Sequence, residues 1–88
     1  MRTSKIRVTT DQYITITQRR GWVEGEIYNR RDPRFNTFSQ VRRWRERRTF
    51  DEAATAATEY AKARRAELKA DAIAIIESIA RRAIEAGA

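Results

Sequence analysis

The hydrophobic pattern of the chain changes period once. Up to residue 28 apolar side chains alternate with polar ones, and from residue 50 they recur at helical spacing. "YITIT" (13 to 17) alternates strictly and "WVEGEIY" (22 to 28) answers it across "QRRG", which predicts two antiparallel strands. With Arg20-Gly21 as a two-residue turn, Ile14 pairs with Ile27, Ile16 with Gly25 and Gln18 with Val23. Ile14, Ile16, Val23 and Ile27 then share one face. The other face holds Tyr13 beside Tyr28, Thr15 beside Glu26, Thr17 beside Glu24 and Arg19 beside Trp22. A slip of one residue sets Ile16 against Glu24 and mixes core with solvent, so the pattern selects this register. Glycine at the second turn position supplies the positive φ that a type I′ turn requires. "KIRVTT" (5 to 10) adds a strand with Ile6 and Val8 inward and Asp11-Gln12 as its turn.

Residues 29 to 37 read as loop, because Asp32-Pro33 breaks regular structure. The next segment has two readings. Thr37 and Gln40 fit a capping box for a short helix over 38 to 48, with Phe38, Val41 and Trp44 inward. Alternatively 41 to 50 is a strand with Trp44 and Phe50 on one side, the preferred reading because Thr49-Phe50 then closes a sheet just before a well-marked helix. That helix, 50 to 86, opens with a Thr49/Glu52 capping box and with Asp51 and Glu52 at the positive end of its dipole, and meets no Gly or Pro before Gly87. It would span roughly 54 Å at 1.5 Å per residue. Phe50, Ala54, Ala57, Ala61, Leu68, Ala72, Ile75 and Ile79 form one stripe. Its alanine half can lie close on a sheet, with Gly25 as the matching gap. Ile73, Ile76, Ala80 and Ile84 open a second apolar side, more than one small sheet can cover. Residues 68 to 86 therefore either fold back or pack on a second copy, with Leu68, Ile73, Ile76, Ile79 and Ile84 as the expected dimer interface. The expectation is one α+β domain over 1 to 88: a small antiparallel sheet of two to three strands, in a basic region 5 to 50, packed on one long C-terminal helix.

Composition narrows the function. Eighty-eight residues provide one core, and net charge is +7. Residues 1 to 50 carry 13 Lys/Arg against 5 Asp/Glu, whereas residues 51 to 88 carry 6 against 7. Such asymmetry points to nucleic acid or another acidic partner. A GC-rich coding bias would account for 16 Arg among 19 cations and for 14 Ala, but not for the cations gathering in one half. Cysteine and histidine are absent, which removes disulfides, thiolates and the usual zinc ligands, so no metal or cofactor is expected. No carboxylate pair has a histidine, cysteine, Gly-rich loop or serine elbow beside it, so neither catalysis nor a small-molecule substrate is expected. No signal-peptide core and no run of 18 uncharged apolar residues occurs, which predicts a soluble, cytoplasmic protein with no membrane partner.

Arg42, Arg43, Arg45, Arg47 and Arg48 are the candidate phosphate contacts, since a guanidinium fork matches phosphate bidentately and stacks on bases. With Arg30, Arg31 and Arg34 of the loop and Arg19 and Arg20 at the hairpin they are expected to form a continuous basic strip. Trp22, Tyr13 and Tyr28, on the outer face, are candidate stacking residues, although Glu24 and Glu26 share that face and would repel phosphate. Trp44 reads as core or packing lid.

Strands followed by "RRTFDEAATAATEYAKAR" resemble the small sheet-plus-helix DNA-binding domains at the N-terminus of phage-type integrases. The matching positions are Thr49, Phe50, Glu52 and Ala53, with cations before them. The resemblance implies a three-stranded sheet presented to a DNA groove with the helix behind it, in an accessory protein rather than a recombinase. In size and lack of catalytic residues the chain is also similar to small phage anti-defence proteins, including anti-CRISPR proteins. That likeness implies a phage- or prophage-encoded inhibitor, acting in the bacterial cytoplasm, whose arginines occupy an acidic surface of a host effector or nucleoprotein.

Overall fold

Four strands pair in chain order into an antiparallel meander: β1 (Thr3–Thr9), β2 (Gln12–Arg19), β3 (Trp22–Arg30) and β4 (Phe38–Glu46). One helix, α1 (Phe50–Gly87), follows. The structure, a computed structural model, describes residues 2 to 87; Met1 and Ala88 of the expected domain lie outside the described residues.

β2 and β3 adopt the register selected by the alternation, with Ile14 opposite Ile27, Ile16 opposite Gly25 and Arg19 opposite Trp22. Their turn differs from the expected one. Gly21 has φ 82° and no non-glycine residue among those described has positive φ. Type I′ needs positive φ at both central positions, so with Arg20 negative the turn follows the type II pattern instead. The β1–β2 turn is Thr10-Asp11 rather than Asp11-Gln12, closed by the Asp11 amide donating to Thr9 Oγ1 at 3.1 Å. A register shift between Arg7 and Thr9 accommodates Val8, which is completely buried.

The sheet has four strands, one more than the upper expectation. The Thr37/Gln40 capping box and its helix do not form. The strand begins at Phe38 rather than residue 41 and ends before Thr49, and Phe50 belongs to the helix. The reason is on β3, whose nine residues would otherwise present an unpaired row of amides and carbonyls. β4 satisfies them from Arg30↔Phe38 to Val23↔Glu46, with a bulge at Val41 that leaves this side chain outward.

The core joins Val8, Ile14, Ile16 and Val23 of the sheet to Phe50, Ala53, Ala57 and Ala61 of α1. Ala53 takes the central place expected of Ala54, which is only partly buried. Alanines at this four-residue spacing bring the helix close to β1 and β2, the strands on which it packs. The gap at Gly25 is not used by the helix. A Cβ there would lie 2.3 Å from the indole of Trp44, so the neighbouring strand's tryptophan fills it. The Thr49/Glu52 capping box forms in full: the Thr49 amide donates to Glu52 Oε1 and the Glu52 amide to Thr49 Oγ1, each at 3.2 Å. Hydrogen bonds from Thr49 hold the Glu52 carboxyl below its ordinary range.

At Arg65 the helix takes leave of the sheet. Its guanidinium donates to the carbonyls of Arg7 at 2.8 Å and Val8 at 3.3 Å. The rest of α1 projects, giving a molecule 66 Å long and 15 Å thick. Leu68, Ile73, Ile75, Ile76, Ile79 and Ile84 are all exposed, so this segment does not fold back on the domain.

Candidate nucleic-acid interface

Strand alternation decides which cations share a surface. On the side of the sheet away from α1, pairing aligns Lys5 and Arg7 of β1 with Thr15 and Tyr13 of β2, and Glu24 and Glu26 of β3 with Arg45 and Arg43 of β4. Arg19 lies on the same side. The face thus carries six cations, Lys5, Arg7, Arg19, Arg30, Arg43 and Arg45, against Glu24, Glu26 and, at its edge, the Asp11 that pairs with Arg30.

Glu24 and Glu26 are both engaged by partners within the face. Glu24 is only 1% exposed. Arg19 donates to its Oε2 from Nε at 3.1 Å and from Nη2 at 3.0 Å, and Arg43 Nε donates to its Oε1. Burial alone would push the Glu24 carboxyl up, but the hydrogen bonds and charges of Arg19 and Arg43 outweigh it and hold the group below its usual 4.5. Glu26 accepts a 2.7 Å hydrogen bond from the Tyr28 hydroxyl. That bond, together with partial burial, pushes the phenol up to about 12.

Aromatic groups sit at the two ends of the face. Tyr13 and Tyr28 stack on each other with centroids 4.9 Å apart, and Phe38 tilts against Tyr13 at 5.0 Å. Lys5 lies 4.2 Å above the Tyr13 ring. Tyr13 and Tyr28, candidate stacking residues, pack on each other and, with Phe38, form a small cluster, because cross-strand aromatic neighbours on a pleated sheet lie within contact of one another. At the other end the Arg45 guanidinium lies 4.4 Å above Trp22, half-buried, beside a shallow hollow shared with Gly21 and Arg47.

The expected continuous strip of ten arginines is divided. A strand sends successive side chains to opposite faces, so Arg42 lies on the helix side while Arg43 and Arg45 lie on the open side. Arg42 and Arg48 line a groove of about 370 Å³ with Trp44, Glu46 and Tyr60, between β4 and the start of α1. Arg20 and Arg47 are exposed at the hairpin end, and Arg31 and Arg34 in the loop. Several of the ten are held by carboxylates: Arg19 and Arg43 by Glu24, Arg30 by Asp11, Arg34 by Asp32 and Arg48 by Glu46. Arg30 is a brace, donating also to the carbonyls of Thr10 and Phe35. Arg34 holds the Asp32 carboxyl below its ordinary range through side-chain and backbone hydrogen bonds. Trp44, read as core or lid, is partly buried against the core.

Lys5, Arg7 and Phe38 were missing from the sequence-derived site. The signal was present for the two cations: Ile6 and Val8 inward imply Lys5 and Arg7 outward. Phe38 lies outside the preferred strand, 41 to 50, and faces inward only in the alternative helix, whereas β4 begins with it. Comparison of the chain with known protein families, with curated proteins and with solved structures found no match.

Proposed function

We propose that the protein is a non-enzymatic binding protein that lays the open face of its sheet against nucleic acid. Lys5, Arg7 and Arg45 supply direct phosphate contacts, Arg43 shares its guanidinium between Glu24 and the ligand, and Trp22 offers a ring edge beside Arg45. The observation that supports this most is the state of Glu24 and Glu26. As bare surface carboxylates they would repel a phosphate backbone. One is buried beneath two guanidiniums and the other accepts a hydrogen bond from the Tyr28 hydroxyl, so with Asp11 counted against Arg30 the face keeps an excess of three positive charges. The reading agrees with the sheet-forward, helix-behind arrangement that the integrase resemblance implies, with a fourth strand, β4, adding Arg43 and Arg45.

The test is a titration of labelled duplex and single-stranded oligonucleotides across a salt series. Wild type should bind with log affinity falling linearly in log salt. Replacing Lys5, Arg7 and Arg45 together by alanine should weaken binding to every sequence and lower the slope by roughly one per lost contact. The same change at Arg42 and Arg48, on the helix side, should leave both quantities nearly unchanged. No oligonucleotide binding at low salt, with a nuclease-resistant stoichiometric complex recovered from host lysate, would replace this reading with that of a protein-directed inhibitor.

A further inference from the structure

The projecting half of α1 is too apolar for a free helix. Leu68, Ile73, Ile75, Ile76, Ile79 and Ile84 range from 37% to 74% exposed. At 100° per residue they fall, with Ala72, Ala80 and Ala83, on one continuous side of about half the circumference. Isoleucine is a weaker helix former than alanine or leucine, so helix propensity does not account for its choice here. A contiguous apolar face of this extent marks an interaction surface.

We propose that this face pairs with a second copy of the chain, antiparallel, about a two-fold axis close to Ile76 and Glu77. Two observations select this occupant and this direction. First, the layers match. About that axis Ile73 meets the partner's Ala80, and within one residue, about 1.5 Å along the helix, Leu68 lies against the partner's Ala86, Ile75 against the partner's Ile79 and Ile76 against its own copy, while Ile84 meets the methylene stem of the partner's Lys69. Second, the charges match. Asp71 and Arg82 lie on one flank of the apolar face, and the axis sets each opposite the other's copy, forming the pair twice. A parallel pairing would instead set Asp71 beside the partner's Ile76 and Arg82 beside the partner's Gly87. The last turn of α1 contains no basic residue. In this arrangement its negative end lies beside the partner's Lys69, whose long stem crosses the apolar face with its ammonium at the edge. The pairing does not depend on what the sheet binds.

The chain has no cysteine, so introduced thiols report contacts cleanly. Sedimentation equilibrium should give twice the 10.3 kDa chain mass. Under mild oxidation a mixture of I73C and A80C proteins should form the mixed disulfide, while I73C alone should not. D71R and R82D should each weaken association about tenfold and the double variant should restore it, with helix content by circular dichroism unchanged throughout. Self-cross-linking of I73C, or failure of the double charge swap to rescue, would overturn the antiparallel arrangement. A wild-type protein that stays monomeric at hundreds of micromolar, whether or not it adsorbs to anionic lipid vesicles, would overturn the dimer.

Discussion

Glu24 is buried on a face that no other element covers, and this is possible because Arg19 and Arg43 lie over it. A carboxylate whose folded pKa is depressed stabilises the fold above its unfolded value and loses that contribution as pH falls through the folded one. Glu24 should therefore help stability at neutrality, and acidification below about pH 4.5 should remove the help. Glu24→Gln should be less stable than wild type at neutral pH, and the two should converge on acidification, as read from urea midpoints over pH. The same change leaves Arg19 and Arg43 uncompensated, so affinity for nucleic acid should rise while stability falls, opposite signs that separate the two roles of the residue. Tyr28 gives an independent check on the face. Ultraviolet titration should find one of the three tyrosines ionising near 12, and Glu26→Gln should bring it down. Gly25→Ala tests the other side of the sheet. Its Cβ would meet the Trp44 ring at 2.3 Å, and displacing the indole should cost about 1–3 kcal/mol in chemical denaturation, with a change in tryptophan fluorescence.

At the scale of elements, the strands and the helix start were legible because each rested on local chemistry. Alternation fixed the β2–β3 register down to Arg19 beside Trp22, and the Thr49/Glu52 pair marked the helix end that the structure shows capped. Thr49→Ala should cost about 1 kcal/mol, seen as a lower denaturation midpoint. What the sequence did not disclose depended on partners distant in the chain. A strand was the preferred reading of the arginine run, but its bounds, Phe38–Glu46 rather than 41 to 50, and its bulge at Val41 are set by pairing with β3, which residues 38 to 48 do not disclose by themselves. The division of the arginines follows from that one assignment, since a strand parts Arg42 from Arg43 and a helix would have grouped them differently. The charge state of the open face was hidden for a related reason: Glu24 and Glu26 read as outward carboxylates, and only the register of β4 brings Arg43 onto Glu24. An edge strand carrying this much charge, with a bulge at Val41, also resists pairing with the edge of another sheet.

At the scale of the molecule, a thin sheet at one end of a 66 Å body and an apolar rod at the other make an unbalanced shape for a monomer. Antiparallel pairing of the rods alone places the two sheets at opposite ends of a particle roughly 100 Å long, estimated from the helical rise and the overlap of residues 66 to 87. A parallel pair would keep close to the length of one chain. Small-angle scattering distinguishes these directly, and the maximum dimension should exceed 66 Å by about half. The consequence for binding follows from reach. Two faces this far apart cannot engage one short oligonucleotide, so apparent affinity should stay near the single-face value for short duplexes and rise by about 10² or more once the duplex spans both sheets. D71R, which weakens pairing about tenfold, should move this step to roughly tenfold higher protein concentration while leaving short-duplex affinity unchanged. A gain with duplex length that D71R does not move would assign the effect to statistical spread of single faces along the lattice, and would detach the rod from the proposed binding by the sheet.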